Sequence, residues 1–192
     1  MSAVFSRKKD NCYTTLVNKK NPMDFSLLEK VVLKEYCDMP GCECLVEEKT
    51  LENYKKLKEY VSRYGVTISI DSGYRSIDDQ AEAYNFFLKV HDNDEEKTSH
   101  CVALPGESEH HTGLALDITI DNDEKKDDLI YMHRAYSILH TASPYFGFIV
   151  RYPNNKQYVT GYEYEPWHIR YVGKRAAMYI SKHRLALEEY FL

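Results

Sequence analysis

The sequence predicts a single α+β domain, with a largely antiparallel central sheet flanked by helices. Three observations predict it. Apolar residues at helical spacing alternate with short β-branched runs along the 192 residues. Late in the chain, several strand-like runs are direct neighbours. No internal repeat, low-complexity tract or linker divides the sequence, and its length suits one domain spanning residues 1–192 with its own core.

Residues 1–45 read as an irregular lead-in broken by Pro22, Pro40 and Gly41, with a short helix around 26–35. From Glu48 to Arg63, Leu51, Tyr54, Leu57, Tyr60 and Val61 repeat at helical spacing, and Gly65 stops the helix. Val66 to Asp71 alternates β-branched residues and reads as a strand. Ser76 is a helix N-cap with Asp79 in the capping-box position, and that helix runs through Gln80, Tyr84 and Phe87 to about Val90. Residues 91–107 read as a long surface loop of the kind that often carries function. Leu114 to Ile120 reads as a strand, residues 122–128 as a solvated connection, and Asp127 to Ala142 as a helix. Phe146 to Tyr152, Tyr158 to Gly161 and His168 to Val172 read as strands, and the end is helical from Lys174.

Composition is that of an ordinary soluble globular protein, 43% hydrophobic and 29% charged. A formal net charge of -5 gives no support to nucleic-acid binding. The 17 tyrosines suit a polar cleft as well as a core. The first residues carry early charges and no apolar signal core, and no run is long enough to span a membrane, so a cytoplasmic location is expected. The five cysteines are expected to be reduced thiols. Cys37, Cys42 and Cys44 lie close together, but their spacing fits no standard metal pair.

Three short constellations carry chemistry. In S-E-H-H-T-G-L-A-L-D, from Ser108 to Asp117, Gly113 lets the chain reverse so that His110 and Asp117 face one point. An imidazole and a carboxylate so placed are two of the three protein ligands of a catalytic zinc site; a simple His–Asp hydrogen bond uses the same residues. In E-P-W-H, His168 is the candidate third ligand and Glu165 the candidate base near the metal but not on it. In S-G-Y-R-S, Arg75 is placed to stabilise an oxyanion or hold a carboxylate, with Gln80 one helical turn on. Alone, each has a bland alternative: a turn hydrogen bond, a strand end, a surface ion pair. His111 is expected to point away from the site, His91 and His100 into solvent, and His133, His140 and His183 to lie on helix surfaces. Tyr84 and Tyr152 are candidates for the cleft lining, and Arg170 for a supporting contact.

Taken in order, S-G-Y-R-S-x-x-x-Q, S-x-H-x-x-G-x-A-x-D and E-P-W-H resemble the zinc D,D-peptidases of the VanY and VanX type. The resemblance is strongest to the bifunctional VanXY D,D-dipeptidase/D,D-carboxypeptidases and extends over roughly Leu16 to Gly173, including VALPGESEH, GFIVRYP and YEPWHIRYVG. It implies one zinc ion held by His110, Asp117 and His168, Glu165 as general base and Arg75 as the group stabilising the tetrahedral intermediate. It implies that Ser108 and Gln80 help bind the substrate's C-terminal end and that Ser72 bears on substrate choice; Tyr84, from its place beside the cleft, is a further candidate substrate contact. The implied fold is the α+β one shared with Hedgehog-type domains. The implied substrates are small peptides ending in D-Ala-D-Ala, cleaved in glycopeptide resistance by a monomer or weak dimer. Some bifunctional relatives carry Asp where this chain has Ser72, so the balance between dipeptide and longer peptide stays open. A D,D- or L,D-carboxypeptidase of cell-wall peptides without dipeptidase activity, or a silent module keeping its metal for stability, are the competing expectations; the presence of both Glu165 and Arg75 speaks against the silent one.

Overall fold

The computed structural model describes residues 12–120 and 129–191. The elements in chain order are β1 (Leu33–Tyr36), β2 (Cys44–Glu47), α1 (Glu48–Ser62), β3 (Ile68–Ser72), α2 (Ile77–Val90), α3 (Glu95–Ser99), β4 (Ala115–Ile120), α4 (Leu129–Ala142), β5 (Phe148–Val150), α5 (Gln157–Thr160), β6 (His168–Tyr171) and α6 (Lys174–His183). The main sheet has the order β3-β4-β6-β5 and every pair in it is antiparallel. This is the expected α+β arrangement.

The core forms where one face of that sheet meets α1 and α4. Leu51, Tyr54, Leu57 and Val61 of α1 are the apolar face read from the sequence, and all four are buried against Ile68, Ile70, Leu116, Ile118 and Ile169. Glu47 caps α1 by accepting from the Thr50 amide at 2.7 Å. Ser76 and Asp79 form the predicted capping box at the start of α2.

Register in the sheet decides where chemistry is placed. Ile70 pairs with Ile118, but Ser72 pairs with Asp117, so Asp71 is an extra residue in a β-bulge. The bulge brings the end of β3 and the turn after it towards the end of the sheet where β4 meets β6.

Four local expectations need correction. The helix expected around 26–35 is a 3-10 turn over Phe25–Lys30, followed by β1, because Leu33–Tyr36 pairs antiparallel with Cys44–Glu47. That hairpin occupies the end of the stretch read as irregular. Residues 91–107 hold α3, started by Asp94 accepting from the Lys97 amide. The strand expected from Tyr158 to Gly161 is the single helical turn α5, closed by Gly161 at φ +78° with its carbonyl held by Lys19 Nζ at 3.0 Å. The charged connection at 122–128, with the start of the helix expected from Asp127, lies outside the described residues.

Candidate metal centre and its cavity

The segment between Ser108 and Asp117 folds as the sequence dictates. Ser108 starts a 3-10 turn over Glu109–Thr112 by accepting from the His110 amide at 3.3 Å. Gly113 ends it at φ +70°, a left-handed conformation that other residues adopt only with strain. The chain then enters β4, and His110 and Asp117 meet: His110 Nε2 is 3.3 Å from Asp117 Oδ2. His168 arrives from β6 as the direct cross-strand partner of Asp117, with its Nδ1 3.1 Å from Asp117 Oδ1. One ligand atom from each of His110, Asp117 and His168 lies within 4.8 Å of the other two, and all three residues are held inside the protein. Among the described residues this is the group of His, Cys, Asp and Glu side chains that converges so closely.

The hydrogen bonds around the group leave its inner atoms free for a cation. His110 Nδ1 donates to the Gly73 carbonyl at 2.6 Å, so Nε2 points inward with a lone pair. His168 Nε2 donates to Glu109 Oε1 at 3.1 Å, so Nδ1 is the inward atom. Asp117 Oδ1 is buried without a hydrogen-bond donor, since His168, with its proton on Nε2, turns an unprotonated Nδ1 towards it at 3.1 Å. A buried carboxylate oxygen with no donor is costly unless a cation satisfies it. Two imidazoles and a carboxylate, each with its outer atoms already engaged, fit a transition metal with positions left open.

Gly73 contributes by having no side chain. A Cβ there would meet the Leu45 carbonyl oxygen at 2.5 Å, and the adjoining Tyr74 amide donates to that same oxygen. The β2 edge thus fixes the turn that supplies the carbonyl for His110.

Glu165 is 3.5 Å from His168 Nδ1 through Oε2 and is 9% exposed, so it does not point into solvent. Burial pushes its carboxyl up to about 7. Arg75 donates from Nη2 to Asp117 Oδ2 at 2.7 Å, from Nε to Ser72 Oγ at 2.9 Å and from Nη1 to Gln80 Oε1 at 3.4 Å. Burial opposes ionisation of Asp117, yet the neighbouring imidazoles hold its carboxyl well below the usual range. Burial lowers the His110 pKa.

These groups floor a cavity of about 450 Å³, within the range of small-ligand sites. Ser108, Gln80 and Arg75 line it, as do Glu165 and all three members of the metal group. Phe87, Tyr152, Tyr162, Tyr164 and Trp167 wall it. Trp167 is 42% exposed and stands at the mouth rather than against the His168 ring; Tyr152 fills that place, with ring centroids 4.9 Å apart. Ser72 lies outside this cavity, in an adjoining groove of about 730 Å³ that shares Arg75. Tyr84, expected to contact substrate, is half-buried on α2 and lines neither space.

Several other assignments change. His111 stays off the metal group but is fully buried: Nδ1 donates to the Arg75 carbonyl at 2.7 Å and Nε2 accepts from the Gly106 amide at 3.0 Å. It therefore clamps the backbone of Arg75. His140 is not a surface residue; its Nε2 donates to the Pro166 carbonyl at 2.8 Å. His91, expected in solvent, is half-buried at the cavity edge. Glu109 was not singled out by the sequence, although it is 1% exposed and bonded to His168. All five cysteines are free thiols.

The VanY model, described as D-alanyl-D-alanine carboxypeptidase, matches residues 43–174. The chain is 39% identical over 163 residues to the putative carboxypeptidase YodJ of Bacillus subtilis (strain 168), covering 80% of this chain and 59% of that protein. It is 41% identical over 127 residues to the bifunctional D-Ala-D-Ala dipeptidase and D-Ala-D-Ala carboxypeptidase VanXYC of Enterococcus gallinarum, covering 64% of this chain and 65% of that one. The chain therefore spans under two thirds of the length of either relative. Its fold matches a solved vancomycin-resistance D,D-pentapeptidase VanY from a VanB-type cassette in complex with Zn(II). That match has a TM-score of 0.81 and 30% identity, covering 94% of this chain and 99% of the other. With Arg75, His110, Asp117, Glu165 and His168 brought to one cavity and most of its length matched, the chain belongs to the VanY family of D-alanyl-D-alanine carboxypeptidases.

Proposed function

We propose that this chain is a zinc peptidase that removes the terminal D-Ala from peptides ending in D-Ala-D-Ala, with the free dipeptide as a second substrate. The observation that carries this is the convergence of His110, Asp117 and His168, with one ligand atom of each within 4.8 Å of the others and Glu165 beside the group rather than in it. The Zn(II)-bound relative supports the choice of metal. Zinc held by these three residues supplies a Lewis acid for the scissile carbonyl and a water acidified to a pKa of about 7.

The remaining work falls to the chain's own side chains. Glu165 takes the proton from the attacking water and returns it to the leaving D-Ala amine. Arg75 presents positive charge to the cavity, where the carbonyl oxygen becomes negative. Ser108 accepts from the His110 amide and keeps its hydroxyl proton for a substrate carboxylate. Gln80, bonded to Arg75 and donating to the Ala103 carbonyl at 2.8 Å, fixes the wall on which that carboxylate rests. Ser72 acts on substrate only through Arg75. The aromatic walls pack the alanine methyls and exclude water.

The adjoining groove beyond Arg75 leaves room for residues preceding the terminal pair, which favours acylated peptides over the bare dipeptide. Loss of the D-Ala-D-Ala end extends this proposal to glycopeptide resistance, supported by the resistance role named for the structural relative. Five free thiols favour a reducing compartment, and we place the activity in the cytoplasm, on a monomer or weak dimer. No helix among the described residues is long and apolar enough to cross a membrane.

The test is D-Ala release, measured side by side from D-Ala-D-Ala and from an acylated peptide ending in it. Release from the acylated peptide, faster than from the dipeptide and abolished by a chelator, is expected. Release that a chelator leaves unchanged overturns the metal role; no release from either substrate overturns the activity.

A further inference from the structure

Behind His168 lies a buried network that the proposed chemistry does not use. Glu109 Oε1 accepts from His168 Nε2 at 3.1 Å. Its other oxygen accepts from Arg151 Nε at 2.7 Å and from Arg170 Nη1 at 2.9 Å. The side chains of Glu109, Arg151 and Arg170 are fully buried. Arg151 continues to Glu188, donating from Nη1 to Oε2 at 2.9 Å and from Nη2 to Oε1 at 2.7 Å. Glu188 in turn accepts from Asn18 Nδ2 at 3.1 Å. Arg170 Nη2 donates to the Thr15 carbonyl at 2.9 Å.

Two carboxylates and two guanidiniums balance in charge, but burying them costs desolvation that apolar packing would avoid. Their geometry shows what the arrangement achieves. The two guanidiniums occupy one Glu109 oxygen and leave the other as an acceptor aimed at His168 Nε2. A carboxylate cannot donate, so this imidazole must hold its proton on Nε2 and turn Nδ1 inward. Asn18, Thr15 and Glu188 lie outside the stretch matched by the family model, residues 43–174. Both ends of the described chain close on the same carboxylate.

We propose that Glu109 is a positioning residue that fixes the tautomer and aim of His168, and that the terminal segments around Thr15–Asn18 and Leu187–Phe191 hold it in place through Arg170 and Arg151. This rests on the metal-centre reading above, though not on the peptidase activity. It predicts that a cation is bound through Nδ1 of His168 and Nε2 of His110.

The experiment is a zinc-affinity measurement by competition with a chromophoric chelator, on wild type, Glu109→Gln and Glu188→Gln. In Glu109→Gln the amide oxygen turns to the arginines and the amide nitrogen donates to His168 Nε2, forcing the proton onto Nδ1. Zinc affinity is expected to fall roughly 10- to 100-fold, and Glu188→Gln is expected to fall in the same direction by less. A folded Glu109→Gln protein, shown by circular dichroism, that binds zinc within about twofold of wild type overturns the proposal. Nitrogen-15 NMR of the zinc-loaded wild type gives a second reading that needs no variant. Coordination through His168 Nδ1 with a protonated Nε2 is expected, and coordination through Nε2 overturns the proposal. If zinc binds as described but no D-Ala is released, the activity fails while this inference stands.

Discussion

Asp117 of β4 and His168 of β6 are direct cross-strand partners, with Oδ1 and Nδ1 3.1 Å apart. The sheet register itself therefore sets two of the three candidate ligands. Asp117→Ala keeps the ladder, because the backbone pairing does not depend on the side chain, but removes the acceptor between the imidazoles. Zinc content after dialysis is expected to fall from about one per chain to near zero, with circular dichroism unchanged. Stoichiometric zinc in that variant would remove Asp117 from the ligand set.

Arg75 engages three different acceptors with three different nitrogens, on Ser72, Gln80 and Asp117. A lysine has one ammonium and cannot reproduce that fork. Both Arg75→Ala and Arg75→Lys are expected to lower kcat/KM for an acylated D-Ala-D-Ala peptide by about 100-fold or more, with zinc retained. Wild-type kinetics in Arg75→Lys would show that only the charge matters.

Gly113 turns the chain between His110 and Asp117 at φ +70°, and a Cβ there would meet Leu33 Cδ2 of β1 at 2.6 Å. Gly113→Ala is expected to cost roughly 1–3 kcal/mol in urea unfolding, from left-handed strain and displacement of that leucine. A midpoint equal to wild type would contradict this account of the turn.

Asp38 ties the loop after β1 to the core. Its carboxylate accepts from Tyr54 Oη at 2.6 Å, Lys58 Nζ at 2.8 Å and the Ile70 amide at 3.0 Å. Burial works to raise its pKa, but these donors hold it below the ordinary carboxylate value. A carboxyl depressed on folding stabilises fully above its unfolded pKa of about 4, and that contribution is lost as pH falls through the folded value. Asp38→Ala is expected to lose roughly 2–3 kcal/mol at pH 7. Asp38→Asn is expected to show a flatter decline of thermal stability in acid than wild type. An acid profile identical to wild type would rule out this contribution.

The site was more legible in the sequence than the fold around it. Its motifs set residue types at fixed short spacings, and Gly113 announces the reversal between two ligands. Glu109 sits inside the same motif, but its meaning depends on partners 42, 59 and 61 residues away, so no local pattern reveals it. The available signal was two charges in largely apolar runs, Arg151 after Phe148–Val150 and Arg170 within His168–Tyr171, whereas Glu109 sits among polar neighbours. The β1–β2 hairpin was missed because its first strand is short and largely exposed, with no clean alternation. Tyr158-Val159-Thr160 has strand-forming side chains, yet among the described residues it joins no sheet and coils into α5 before Gly161. Tyr84 shares a helix with Gln80 and Phe87 but not their cavity-facing side.

In the proposed enzyme His110, Asp117 and His168 hold a zinc ion for which Glu165 serves as the base. Zinc content and D-Ala release, measured on the same samples of wild type and Glu165→Gln, test it most directly. About one zinc per chain is expected in both proteins, with release from an acylated D-Ala-D-Ala peptide reduced at least about 100-fold in the variant. Zinc-loaded Glu165→Gln that releases D-Ala at the wild-type rate would contradict it.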